Sequence, residues 1–166
     1  MRRYLLVLAA AVVALAGCTT GHDAVTKTGS TDSRYVAADG KTVVYPPAQR
    51  KDAPAVTGST VDGGSADLAS LKGSVVVMNF WAAWCPPCHQ IAPVLEQIAK
   101  ERAGKLRIVK MDYDANPVTP SNYRVMGLPT LILFAGGRPV ASMVGARPKS
   151  ALLRDIDATL ESIPAA

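Results

Sequence analysis

The run Val75-Val76-Val77-Met78-Asn79-Phe80, together with the residues just after it, limits this chain more than any other segment. It is a nearly continuous apolar stretch of strand length, the pattern of a strand covered on both faces. After Trp84 comes Cys85-Pro86-Pro87-Cys88, and then Ile91, Leu95 and Ile98 at i, i+4 and i+7. That spacing predicts a helix to about Arg102, kinked at Pro93, whose ring clashes with the preceding turn. Gly104 ends the helix, and Leu106 to Met111 is the next strand. A strand–helix–strand unit of this kind makes its two strands parallel, with a right-handed crossover.

The remaining segments extend that unit. Thr130 to Phe134 reads as a strand, Gly136-Gly137 as a turn, and Val140 to Val144 as an antiparallel partner, with Pro139 expected at a sheet edge. A closing helix from about Ser150 carries Leu152, Ile156 and Leu160 on one face. Upstream, Lys41 to Tyr45 is a short strand, and Val56 to Asp67, with Asp62-Gly63-Gly64 inside it, is a hairpin. The expected architecture is α/β: three layers, helices on both sides of a mixed sheet, with an N-terminal hairpin extension, in one domain over residues 40–166. A chain of 166 residues that is 49% hydrophobic suffices for one such core and is not disordered as a whole.

Ahead of that domain, Arg2 and Arg3 precede an apolar run from Tyr4 to Ala16, too short to span a bilayer as a helix. It reads as an export signal over residues 1–17. Leu15-Ala16-Gly17-Cys18 resembles the lipobox of bacterial lipoprotein precursors, which implies cleavage before Cys18 and a lipid on its thiol. An ordinary secretory peptide or an uncleaved anchor are the alternatives, and both still export the chain. Residues 18–39, rich in Thr, Ser, Gly and Asp and holding His22, read as a flexible tether. Losing Arg2 and Arg3 lowers a net charge of only +5, too mild to argue for nucleic acid. Lipidation also explains the odd thiol among three cysteines, leaving Cys85 and Cys88 as one redox pair.

Phe80-Trp81-Ala82-Ala83-Trp84-Cys85-Pro86-Pro87-Cys88, with Ile91-Ala92-Pro93 in the helix behind it, resembles the thioredoxin superfamily. So do Asp114-Ala115-Asn116-Pro117, Gly127-Leu128-Pro129-Thr130 and Val144-Gly145-Ala146, in matching order. Ala53-Pro54, the hairpin and Leu68 to Gly73 look more like the exported TlpA/ResA thioredoxins. The resemblance implies a thioredoxin fold and a thiol–disulfide oxidoreductase whose electrons sit in a Cys85–Cys88 dithiol, with no dissociable cofactor and no metal. It implies a cis peptide before Pro129. It also implies a substrate groove of Trp84, Gly127, Leu128, Pro129, Gly145 and Ala146, with Trp81 packed beneath and Tyr113 either lining the groove or simply packed. Partners would be thiols or disulfides of exported proteins and a membrane dithiol donor. The place of work would be the outer face of the bacterial membrane, reached through the lipid on Cys18.

Physical chemistry supports the roles. A cysteine at a helix start faces unsatisfied N–H groups and the positive dipole end, so Cys85 is the expected thiolate nucleophile. Cys88, one turn on, is expected to be more buried and to resolve the mixed disulfide. Pro86 and Pro87 have no N–H, which removes two donors to the thiolate and favours a reductant over an oxidant. The reverse flow, making disulfides, is the competing reading. Where thioredoxins carry a buried aspartate this chain has Asn79, and where ResA-type proteins carry a glutamate it has Ile91. Neither is a base. Lys110 matches the aspartate's lysine partner and is expected either to face the site without a carboxylate or to reach the surface.

Other classes fit less well. Cys85-Pro86-Pro87-Cys88-His89 spells a c-type haem attachment motif, with Met111 and Met126 as conceivable axial ligands, but it opens an amphipathic helix behind a buried strand. An inert scaffold has no need of both cysteines and Pro129. Zinc would have only His22 and His89 as imidazoles and lacks a second ligand pair.

Overall fold

The computed structural model describes residues 42–53, 55–61 and 63–163. The export signal, Cys18, His22 and the tether lie outside them. Among the described residues, seven strands form one sheet in the order β1-β7-β6-β4-β5-β2-β3. They are β1 (Thr42–Val44), β2 (Thr57–Thr60), β3 (Ser65–Asp67), β4 (Val75–Trp81), β5 (Leu106–Asp112), β6 (Thr130–Ala135) and β7 (Arg138–Val144). Three helices among the described residues accompany them: α1 (Pro86–Glu101), α2 (Val118–Asn122) and α3 (Lys149–Glu161). As the alternation of apolar segments requires, β4 and β5 are parallel, while β4–β6 and β6–β7 are antiparallel.

The continuous apolar run of β4 is explained by what covers it. Val77 faces α1 and α3, packing with Ile91, Leu95, Ile98, Leu152 and Ile156. Val76, Met78 and Phe80 face the other way, toward Leu68 and Val125. On that side Tyr123 stands 6.3 Å from Phe80 and meets Phe134 edge-on at 5.6 Å, centroid to centroid. The layer is thin, built from short α2, a 3-10 turn at Leu68–Leu71 and their flanking loops. Each fully buried Phe, Leu or Ile in these two clusters contributes roughly 1.5–3 kcal/mol.

Helix α1 opens on Pro86 and Pro87 in its first turn, where a missing N–H costs nothing. It runs unbroken through Pro93 to Glu101, so the expected kink does not interrupt it; the proline removes one backbone bond within a helix held by its buried face. The edge placement expected for Pro139 is corrected. β7 lies inside the sheet, between β1 and β6. Pro139 is tolerated there because β1 pairs only as far as Val44↔Ala141, and because the β6–β7 register shifts between Leu133 and Phe134, the partner of Pro139.

The hairpin β2–β3 adds to the open side of β5, antiparallel to it, with Ser59 opposite Lys110. Gly58 makes that approach feasible: a Cβ there would lie 2.6 Å from Val109 Cγ1 and 2.9 Å from the Lys110 carbonyl oxygen. No helix among the described residues is long and apolar enough to cross a membrane.

Candidate active site

The crossover from β4 to α1 places two sulfurs at a helix start. Cys85 is the N-cap of α1, in extended conformation, and its Sγ accepts the Cys88 N–H at 3.2 Å. The Cys85 N–H donates to the Ala82 carbonyl at 3.2 Å, folding the loop back on β4. Cys85 and Cys88 are joined as a disulfide. The expected contrast in burial is corrected: each residue is 3% exposed. What separates them is position, Cys85 before the helix and Cys88 inside its first turn. Pro86 and Pro87 cannot donate, so the helix start reaches the Cys85 sulfur through the N–H of Cys88.

Around the disulfide, Ala82, Trp81, Tyr113 and Leu128 pack into one small apolar cluster. Trp81 is half-buried there, and Tyr113 bridges this cluster to the core face behind it. Trp84 stands out at 65% exposure, yet it is held: its Nε1–H donates to Asp114 Oδ2 at 2.7 Å. Asp112 sets up that contact, since its Oδ1 accepts the N–H groups of Asp114 and Ala115 at 2.9 and 3.1 Å and so shapes the turn after β5.

The Leu128–Pro129 peptide is cis. Thr130 Oγ1 donates to the Gly127 carbonyl at 2.6 Å, bracing the segment from below. Gly145, at φ +87°, takes a conformation in which a side chain is strained, and its N–H donates to the Pro129 carbonyl at 2.8 Å. That bond brings the loop after β7, with half-buried Gly145 and exposed Ala146, up to the proline. Thus Cys85, Cys88 and Leu128 share one cluster, Gly145 is tied to Pro129, and Trp84 stands exposed just before Cys85, held to Asp114.

Asn79 and Lys110 lie opposite each other on the parallel strands β4 and β5. Asn79 is 2% exposed, and its Oδ1 has no hydrogen-bond partner. Lys110 is half-buried and lines a solvent groove with Thr57, Ser59, Trp81 and Asp112. It thus stands beside Asn79 on the sheet and also reaches water. Of the haem-ligand candidates, Met111 is packed in the core with Phe80 and Ile132, and Met126 is 75% exposed. Among the described residues no group of three or more His, Cys, Asp or Glu is placed to hold a metal ion.

Three contacts escape sequence reasoning. His89, a plain surface residue in the pattern, donates its Nε2–H to the Ala83 carbonyl at 2.9 Å and ties the first turn of α1 to the loop carrying Trp84. The Trp84–Asp114 and Gly145–Pro129 bonds likewise join segments far apart in the chain. No local signal marks any of them.

Comparison with known proteins gives the same picture. The family model described as thioredoxin matches residues 65–158. The thioredoxin of Mycobacterium tuberculosis (strain H37Rv) is 54% identical over 81 residues, covering 49% of this chain and 70% of that protein. The thioredoxin of Mycolicibacterium smegmatis is 46% identical over 103 residues, 61% of this chain and 91% of the relative. The bifunctional thioredoxin reductase/thioredoxin of Mycobacterium leprae is 50% identical over 91 residues, 55% of this chain and 20% of its own length.

Proposed function

Because the chain belongs to the thioredoxin family and is a thiol–disulfide oxidoreductase, we propose that it reduces disulfides of exported proteins, held at the outer face of the cell membrane by a lipid on Cys18. In the reduced enzyme the Cys85 thiolate attacks a substrate disulfide. A Cys85–substrate S–S bond forms, and one substrate sulfur leaves as thiolate. Cys88 then loses its proton and attacks Cys85 Sγ, releasing the second substrate thiolate and forming Cys85–Cys88. Two electrons have passed to the substrate, and the family's redox-active disulfide needs no further cofactor. A membrane dithiol donor would restore the dithiol.

The direction of flow rests on one observation: the Cys85 sulfur takes its helix N–H from Cys88, past two prolines that have none to give. A thiolate with fewer donors is less stabilised, so the reduced form gives up electrons more readily. The relative that joins thioredoxin to a thioredoxin reductase in one chain also favours a domain fed with electrons. For the exported subtype, the support is the N-terminal sequence and the β2–β3 hairpin against β5. Trp84, Gly127, Leu128, Pro129, Gly145 and Ala146 form the docking groove, in which an extended substrate pairs with the backbone before Pro129. Asn79 leaves the Cys88 proton to solvent reached through the Lys110 groove.

Trapping tests all of this. Cys88→Ser should freeze mixed disulfides on Cys85 in living cells, and the captured proteins should be exported ones; Cys85→Ser should capture nothing and abolish turnover. Capture of proteins that never leave the cytoplasm rules out the location. A reduction potential near about −120 mV rather than about −270 mV reverses the direction.

A further inference from the structure

The strand β1 begins at Thr42 and covers the outer side of β7, with Thr42 opposite Met143, close to where β7 gives way to the Gly145 loop. The Thr42 side chain makes a second, separate connection. Its Oγ1–H donates to Asp155 Oδ2 at 2.8 Å, while Arg147 Nη1 donates both to Thr42 Oγ1 at 2.9 Å and to Asp155 Oδ2 at 2.6 Å. The three groups close a ring joining β1, the loop after β7 and helix α3. The Arg147 and Asp155 side chains are only 13% and 18% exposed, so the ring lies where solvent screens little and hydrogen-bond geometry is exacting. From Arg147 the chain leads back through Ala146 to Gly145, whose N–H holds the Pro129 carbonyl.

We propose that Thr42 is a positioning residue for the substrate groove: through Arg147 and Asp155 it locks the Gly145–Ala146 loop against the cis-proline segment. This rests on the reading of Leu128, Pro129, Gly145 and Ala146 as the docking surface. The physical argument is one of freedom removed. A glycine at positive φ followed by an exposed alanine is a pliant loop, and a substrate strand must find it in one conformation. β7 fixes one end of that loop and α3 the other; the Thr42 hydroxyl ties Asp155 of α3 and Arg147 of the loop to β1, whose backbone pairs with β7. Thr42 does not touch the sulfurs, so it acts on substrate docking and leaves the thiol chemistry alone.

The test uses the full chain, reduced, with insulin as the protein disulfide and 5,5′-dithiobis(2-nitrobenzoate) as a small one that needs no groove. Thr42→Val should raise KM for insulin about threefold to tenfold with kcat within about twofold, and leave the small-disulfide rate unchanged. Thr42→Ser, which keeps the hydroxyl, should restore KM. Exchange of the Gly145 amide hydrogen should speed up in Thr42→Val and not in Thr42→Ser. Should Thr42→Val fail to fold, Asp155→Asn carries the same expectations. The proposal is overturned by equal slowing with both disulfides, by Thr42→Ser behaving like Thr42→Val, or by unchanged Gly145 exchange. If the parent enzyme does not reduce insulin, the reductase reading fails, while the Gly145 exchange still decides whether the lock exists.

Discussion

Along β4, β6 and β7 nearly every side chain is buried, whereas no residue of β1, β2 or β3 is. The central strands are held by area removed from water, which is large, non-directional and forgiving of exact geometry. The flanking ones are held by a close backbone approach at Gly58 and by the Thr42–Arg147–Asp155 ring, which are small in area and demanding in shape. The disulfide follows directly on β4 of the first region, and on the proposed reading one wall of its docking groove is steadied by the second. The sulfurs thus sit beside the part of the fold that is hardest to perturb, and the proposed docking wall beside a part that single groups can tune.

Substitutions in each region should behave differently. The largest loss is expected at Leu133, fully buried between the α1–α3 layer and the sheet: Leu133→Ala should cost about 2–5 kcal/mol, seen as a lower midpoint in urea for every probe at once. Gly58→Ala should cost less, about 1–3 kcal/mol, and should do so locally. Amide exchange should accelerate in β2 and β3 while β4 stays protected. A uniform loss of protection would erase the distinction between the two regions.

Much of the central region is legible from residue type alone. Val75–Phe80 declares itself as a strand because both of its faces must be covered, Leu106–Met111 follows it as the next strand after Gly104, and Ile91, Leu95 and Ile98 mark the buried stripe of α1. The cis peptide at Pro129 has no such local signature and is readable only through family resemblance. The equal burial of Cys85 and Cys88 is not legible, since it depends on Leu128 and Tyr113 closing over both sulfurs. Pro139 misleads for a related reason: an absent N–H excludes a residue only where a neighbouring strand asks for it, and β1 stops short. The ring at Thr42 joins residues 105 and 113 positions apart, beyond any periodicity argument.

Two smaller tests probe how dry each region is. Asn79→Asp places a carboxyl where 2% exposure penalises its charge and raises its pKa above the ordinary carboxylate range. A raised folded-state pKa means that stability is intact below about pH 4 and is lost as pH rises through the folded value. The variant should therefore match the parent near about pH 4 and fall behind it by about 1–3 kcal/mol near about pH 8. It should also gain a pH-dependent rate of disulfide reduction, as a base becomes available to Cys88. A pH-independent gap in stability would show that water already reaches the site, and an unchanged rate profile would exclude Asn79 from proton handling.

The smallest effect is expected at high pH. Burial pushes the Tyr45 and Tyr123 hydroxyls above their ordinary value of 10.0. The unfolded chain then ionises first, so stability holds below about pH 10 and declines above it. Replacing both with Phe should flatten that decline in urea titrations.

Among the described residues, the strands at the two margins of the sheet are stubs: Thr42-Val43-Val44 on one side and Ser65-Ala66-Asp67 on the other. A sheet rim with open N–H and C=O groups is a template on which a second copy of a chain can pair. Rims this short, carrying hydroxyls and a carboxylate, give a second molecule too little ladder to climb. Under the proposed reading, the seat beside Pro129 is then left as the place where extended backbone is recognised.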